Sequence, residues 1–321
     1  MTDLHGDWEA YRRYRDRFVD LQAKGSVDCL IFTGDLIHAE AGEVPDRSVD
    51  IVLDVLDLQA RFGDAVIYLC GNHELPHIYG FGLGKGKQEY TAAFEEMMSQ
   101  RNTRAAIIGL FMNLPFYLRT ASGVSLSHAG AIPLESLQQA LKLFNWDHQS
   151  VRRAAHKQLE ESDKAGLRKA YARLSQAETY KDLAKQYLSV DDENDPRYDD
   201  LLVGFLVTMN RDFELLRSAL FTRCEQEYGE EKYAEALSGL LGYLSFDSLP
   251  QRMLVTGHMA IRNRYQVVSG RQLRFASGRH AALPDERQYL LFDAGRPIES
   301  VEALSKGLHP ISEQPSRRGQ G

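Results

Sequence analysis

The chain has 321 residues, with ten histidines but only three cysteines, a net charge of −7 and a pI near 5.8. That length can bury a sizeable core as one large domain or two modest ones, and the acidic balance argues against a nucleic-acid-binding surface, which is usually basic. No apolar run reaches the roughly 18 residues of a membrane-spanning helix, no signal-peptide pattern precedes Asp3, and Cys29, Cys70 and Cys224 lack metal-ligand or C-x-x-C spacing, so buried free thiols in a reducing cytoplasm are expected.

In chain order, residues 8–24 read as an amphipathic helix closed by Gly25, and residues 27–33 as a short buried strand. Residues 46–61 repeat the helical pattern, with Val49, Val52, Leu53 and Leu56 on one face and Gly63 beyond the end. A second strand over 65–70 runs into Gly71-Asn-His-Glu74. Residues 88–100 are expected to be helical, while 105–110, 115–119 and 124–127 look like strands of a second sheet. From 134 to 250 long helical patterns rich in Ala, Leu, Lys and Glu take over, broken by the acidic loop Asp191-Asp-Glu-Asn-Asp195 before Pro196. Strand patterns resume at 253–256, 265–268, 274–276 and 289–292, and the polar stretch 308–321 is expected to be a disordered tail.

Six polar side chains sit where apolar runs end: Asp3 and His5 in Thr2-Asp-Leu-His-Gly6, Asp35 after Gly34, Asn72 after Gly71, His128 after Ser127 and His258 after Gly257. Ligands at the carboxyl ends of successive strands are where α/β sheets place their sites. A buried carboxylate or imidazole is costly alone, and a divalent cation compensates several at once. Asp, Asn and His without thiolate suit Mn, Fe or Zn better than a soft structural zinc site. Each block taken singly has an ordinary reading, such as a cap or turn at Asp7 or Asp35 and a hydrogen-bonded structural histidine at 128 or 258. Those ordinary readings would all have to hold together.

The five blocks in this order resemble the calcineurin-like metallophosphoesterases, nearest the branch of serine/threonine phosphoprotein phosphatases and diadenosine tetraphosphatases. The resemblance implies an α/β (α+β) fold, a four-layer αββα sandwich. Residues 1–133 and 251–307 would form its core, and 134–250 a helical insertion or cap in which substrate choice resides. It also implies a two-metal centre: Asp3 and His5 on the first ion, Asp35 bridging, Asn72, His128 and His258 on the second, with His73 as catalytic histidine. Manganese is the first expectation, with iron or zinc as alternatives, and a metal-bridging hydroxide would attack a phosphate monoester of a phosphoprotein or small metabolite. A nucleotide pyrophosphohydrolase of the diadenosine tetraphosphatase type and a catalytically silent scaffold are the competing readings. A phosphorylated substrate is the expected partner, with neither membrane nor nucleic acid, and the oligomeric state is not set by the sequence.

Two motifs compete with this reading. His73-Glu-Leu-Pro-His77 matches H-E-x-x-H of zinc proteases, but that motif needs both histidines on one helical face, and Pro76 is expected to break the turn. Gly80-Phe-Gly-Leu-Gly-Lys-Gly-Lys87 lacks P-loop and dinucleotide spacing, so a mobile loop offering Lys85 and Lys87 to a phosphate is the expectation.

Two departures from the family stand out, beside one point of agreement. Where the phosphoprotein phosphatases carry Asp-Arg after the bridging aspartate, this chain has His38-Ala39. Glu40 or Glu74 is therefore expected to orient His73, and Arg211, Arg217 or Arg262 to grip phosphate, Arg211 first. His258 is followed by Met259-Ala260 and not by a second histidine, which agrees with the phosphoprotein phosphatases and not with the bacterial diesterases that end in Gly-His-x-His. Only Met1 and Thr2 precede Asp3, where the family places a central apolar strand, and a start lying further upstream is expected.

Overall fold

In the computed structural model, residues 1–311 are described apart from Ala41, Glu43, Gly86, Lys87, Ala140, Thr222 and Arg223. The Asp7 carboxylate accepts from the Ala10 amide and starts α1 (Trp8–Ala23), which buries Ala10, Tyr11, Tyr14 and Phe18 at helical spacing. Then follow β1 (Leu30–Phe32), α2 (Ser48–Phe62), β2 (Val66–Tyr68), α3 (Leu75–Tyr79), β3 (Gly84–Lys85), β4 (Gln88–Glu89), α4 (Tyr90–Gln100), α5 (Arg104–Phe111), β5 (Tyr117–Arg119) and β6 (Val124–Ser127). The helical segment holds α6 (Leu141–Phe144), α7 (His148–Glu160), α8 (Lys164–Leu174), α9 (Tyr180–Leu188), α10 (Asp200–Thr208), α11 (Arg211–Leu220), α12 (Cys224–Glu227) and α13 (Glu230–Leu244). The chain returns through β7 (Met253–Thr256), β8 (Tyr265–Val268), β9 (Gln272–Phe275), β10 (Gln288–Leu290), α14 (Val301–Ser305) and β11 (Leu308–Pro310).

Two sheets face each other. Parallel β1 and β2 make one, and β5-β6-β7-β9-β8 make a mixed second sheet. Strand alternation sorts the side chains: Ile31, Ile67 and Leu69 meet Leu126, Val255 and Phe275 between the sheets, while Leu30, Phe32, Val66 and Tyr68 turn to α1 and α2. The far face of the second sheet is covered from the helical segment. Tyr233 of α13 hydrogen-bonds Gln272 of β9, and Glu225 of α12 pairs with Arg274 at 2.6 Å. The order is helix, sheet, sheet, helix. Residues from α7, α10, α11 and α13 share one apolar cluster with α1 to α5, so this segment supplies an outer layer of the fold.

Several expectations need correction. Residues 105–110 are not a strand but most of α5, because Ile107, Ile108 and Phe111 are buried while Arg104, Ala105 and Ala106 are not, a three-to-four spacing that the short apolar run concealed. Pro76 does not break the turn at His77. It occupies the first turn of α3, where no intrahelical donor is needed. Cys29 is exposed, whereas Cys70 is buried and free as expected. Of the tail, residues 308–310 pair as β11 with β10, and 312–321 lie outside the described residues, as do Lys87 and the side chains of Lys85 and Cys224. No helix among the described residues is long and apolar enough to cross a membrane.

Candidate metal centre

The loops that leave the sheets lie against one another by main-chain hydrogen bonds. Asp3 N donates to Gly34 O at 3.2 Å, His5 N to Asp35 O at 3.0 Å and Gly6 N to Leu36 O at 2.9 Å, so the first two blocks run side by side. Asp3, His5, Asp35, His38 and His258 all adopt positive φ, between 45° and 70°. Left-handed backbone is uncommon for residues with a Cβ, and five such residues in one place mark strain held by the surrounding structure.

Glu74 staples two of these loops. Its Oε2 accepts from Gly71 N at 2.8 Å and Asp35 N at 3.2 Å, and its Oε1 accepts from Leu36 N and the Tyr68 hydroxyl. His128 follows β6 and His258 follows β7, two adjacent parallel strands, so their rings arrive together with Nε2 and Nδ1 3.1 Å apart.

Among the described residues, three groups of potential ligand atoms result, each within 4.8 Å of one another: Asp3, His5 and His280; His5, Asp35 and His73; and Asp35, His128 and His258. Asp35 is common to two of them, its Oδ2 lying 3.9 Å from His5 Nε2, 3.8 Å from His73 Nε2 and 3.4 Å from His128 Nε2. Asn72 Oδ1 is 2.8 Å from His128 Nε2. His280 was not anticipated, yet Phe275-Ala-Ser-Gly-Arg-His280 repeats the strand, small residue, histidine signature of the other blocks.

The electrostatics are those of a receptor for cations. Burial pushes the Asp3 and Asp35 carboxyls up, but His280 beside Asp3, and His128 and His73 beside Asp35, outweigh it and hold both well below the usual range. Burial opposes charge on His128 too, yet Asp35 and Asp3 pull it up to about 9. Two buried carboxylates are thus drawing protons onto an imidazole for want of other positive charge. His5 and His258 are pushed down to about 3, first by burial and then by neighbouring histidines. His5 Nε2 is buried without a hydrogen-bond partner, and His280 Nδ1, also buried, lies 3.2 Å from Asp3 Oδ1. Lone pairs converging beside buried carboxylates that only imidazoles answer fit divalent cations, and the O/N donor set without sulfur fits Mn, Fe or Zn.

A profile of the calcineurin-like phosphoesterases matches residues 1–197. The chain belongs to that family. No match is found among curated proteins. Among solved structures, a protein serine/threonine phosphatase from Saccharomyces cerevisiae, described as similar to human phosphatase PP5, aligns at 12% identity and TM-score 0.41 over 86% of this chain and 65% of the other. The present chain thus spans less than two thirds of that protein. A cold-active protein-tyrosine phosphatase of a psychrophilic Shewanella species aligns at 17% identity and TM-score 0.39, over 86% of this chain and 69% of the other.

In this family member the ring of His73 points Nε2 toward Asp35, and its own amide donates to Asp35 Oδ1 at 3.0 Å. Neither carboxylate expected to orient it does so. Glu74 is spent on backbone amides, and Glu40 pairs with Arg279 and accepts from the Tyr90 hydroxyl. The partner of His73 is His38, Nδ1 to Nδ1 at 3.0 Å.

The metal centre opens into a cleft of about 610 Å³ lined by His5, Glu40, His258, Arg279, His280 and Arg287 among others. Arg211 is not brought there. It is exposed at the start of α11, in the helical segment, and Arg279 is the guanidinium the cleft presents beside His280. Arg279 has no local signal as a phosphate contact in the sequence, because its partner Glu40 is 239 positions away.

Proposed function

We propose that this phosphoesterase is a binuclear-metal phosphatase that hydrolyses phosphate monoesters by direct attack of water, in a cytoplasmic setting that the unpaired Cys29 and Cys70 suit. One observation carries the reading: a single buried carboxylate, Asp35, is shared between a group containing His5 and a group containing His128 and His258. Asp3, His5 and His280 would hold one divalent ion and Asn72, His128 and His258 the other, with Asp35 common to both. Such ions, when bound, supply Lewis acidity to phosphoryl oxygens and lower the pKa of water to near neutrality.

The chain's own groups do the rest. Arg279, steadied by Glu40 at the edge of the cleft, presents a forked donor to the non-reacting phosphate oxygens. His73 Nε2 lies 3.8 Å from Asp35 Oδ2, and once it has taken up the proton that the attacking water sheds, it gives a proton to the departing oxygen. No side-chain nucleophile is needed.

The test is turnover on a panel of phosphomonoesters, phosphodiesters, dinucleoside polyphosphates and phosphopeptides, before and after chelation and with manganese, iron or zinc returned. Metal-dependent turnover concentrated on monoesters is expected. Undiminished turnover after exhaustive chelation would sink the binuclear reading, and turnover confined to dinucleoside polyphosphates would replace the monoesterase with a pyrophosphohydrolase.

A further inference from the structure

Behind His73 lies a chain of side chains that the proposed reaction does not itself require. His38 Nδ1 meets His73 Nδ1 at 3.0 Å, His38 Nε2 meets His77 Nε2 at 2.8 Å, and His77 Nδ1 meets Glu95 Oε1 at 2.9 Å. Arg104 Nε closes the line on Glu95 Oε2 at 2.7 Å. His38, His77 and Glu95 are 1–2% exposed, inside a box formed by Tyr90, which stacks on His38, and Phe94, which abuts both rings edge-on. The H-E-x-x-H string thus puts its two histidines on either side of a third.

The direction of the chain follows from its charged end. Each histidine-to-histidine contact needs one N–H and one lone pair, so fixing one proton fixes them all. Glu95, ionised beside Arg104, can only accept, and therefore His77 carries its proton on Nδ1. Its Nε2 then accepts from His38 Nε2–H, and His38 Nδ1 accepts from His73 Nδ1–H. The reverse direction requires a protonated His77. The surroundings hold no charge to balance one: Arg104 already answers Glu95, and Asp200 on α10 faces Arg152 at 3.1 Å and Arg104 at 4.0 Å. His38 is pushed well below its ordinary value, by burial first and by His77 and His73 next, so it too is neutral.

We infer that Glu95, acting through His77 and His38, fixes His73 as the tautomer with its proton on Nδ1 and its Nε2 lone pair facing the metal centre. The inference rests on the role given to His73 above. His38, His77 and Glu95 are positioning residues: they touch neither substrate nor metal ligands. The carboxylate whose absence at position 38 set this chain apart from the phosphoprotein phosphatases is present two imidazoles further in, on α4.

The tautomer is read directly from ¹⁵N shifts of histidine-labelled protein, metal-free and metal-loaded. Wild type should show His73 protonated at Nδ1, and Glu95→Gln should show a mixture of tautomers with kcat lower by roughly 10-fold or more and KM little changed. Because Glu95→Gln also removes a partner of Arg104, His38→Asp provides the control. It sets a carboxylate beside His73 at a left-handed position that Asp tolerates. In that background Glu95→Gln should cost no further turnover. An equal loss in both backgrounds assigns Glu95 to stability alone and overturns the inference. Wild-type turnover in His73→Asn would overturn the reading of His73 itself. Unchanged tautomer and turnover in Glu95→Gln, while His73→Asn has lost its own turnover, would overturn the chain and leave the reading of His73 standing.

Discussion

The two sides of His73 are built on opposite terms. On the cleft side, the buried charges of Asp3 and Asp35 are met by imidazoles alone, and His5 Nε2 has no hydrogen-bond partner. On the far side, both ring nitrogens of His38 and His77 and both carboxylate oxygens of Glu95 are paired, and Arg104 balances the charge of Glu95. Both sides are buried polar clusters of similar composition. Composition therefore says little; whether the polar atoms are satisfied within the protein separates a site awaiting cations from a scaffold that is already complete.

Neutral isosteric substitutions should expose that difference. Asp35→Asn on the cleft side should cost more metal affinity than the roughly 10–100-fold usual for losing a mere partner of a ligand, with turnover lost alongside, as measured by metal content after dialysis and by calorimetric titration. The metal-free variant should melt lower as well, because Asp35 is held ionised by His128 and His73 and its loss leaves His128 without that partner, but the drop should be smaller than in metal-loaded protein. An equal drop with and without metal would show that the cleft side is a scaffold too. Glu95→Gln on the far side should do the reverse: urea denaturation should show a loss of about 3–5 kcal/mol, the usual cost of breaking a buried ion pair, in metal-free and metal-loaded protein alike.

His73 stands on the boundary, and its replacement should be felt as rate alone. His73→Asn is expected to keep both metals and lower turnover by about 100-fold, or roughly 2.7 kcal/mol of barrier. The loss should shrink for p-nitrophenyl phosphate, whose leaving group hardly needs a proton. Lost metal content in this variant would move His73 to the cleft side of the comparison.

The smallest effect tests whether one unsatisfied nitrogen is enough to make a site. His148 Nε2 is buried without a partner as well, but no carboxylate converges on it, and its other nitrogen meets the Tyr79 hydroxyl at 2.6 Å. Burial pushes His148 down from its ordinary value of 6.5 to about 4. A depressed folded pKa means that the neutral ring is favoured by the fold, so this contribution is complete above pH 6.5 and is lost as pH falls toward 4. The slope is at most about 1.4 kcal/mol per pH unit. His148→Gln should flatten it, and added manganese should leave it unchanged; a metal-dependent slope would mean that isolated unmet nitrogens bind cations here.

The cleft side was the more legible in sequence for a local reason. Asp35, Asn72, His128 and His258 each sit within a few residues of a strand end and within two of a glycine, and Asp3 and His5 share the string Asp3-Leu-His-Gly6, signatures that a short window captures. His280 carries the same signature and was passed over. The far side has no such signal. His38 meets His73 across 35 positions and His77 across 39, and His77 meets Glu95 across 18, so only the packing of α3 on α4 and α5 brings them together. The same limit explains α5, where a short apolar run fits helix and strand equally until its neighbours choose a face. The layers were read correctly because strand alternation and helical spacing are local too, although the outer helices came from a segment expected to serve as an insertion or cap.

The close approach of the ligand loops also determines how the centre can change. A Cβ placed on Gly71 would collide with Asp35 Oδ1, and one on Gly257 with Asp3 Oδ2, so at these two points backbone lies directly against a ligand carboxylate. The spacing of the ligand atoms is therefore gauged by main chain and not by adjustable side-chain rotamers. A cavity gauged in that way accepts ions by radius: exchange among cations of similar size leaves it undisturbed, while a markedly larger ion would have to part the loops themselves.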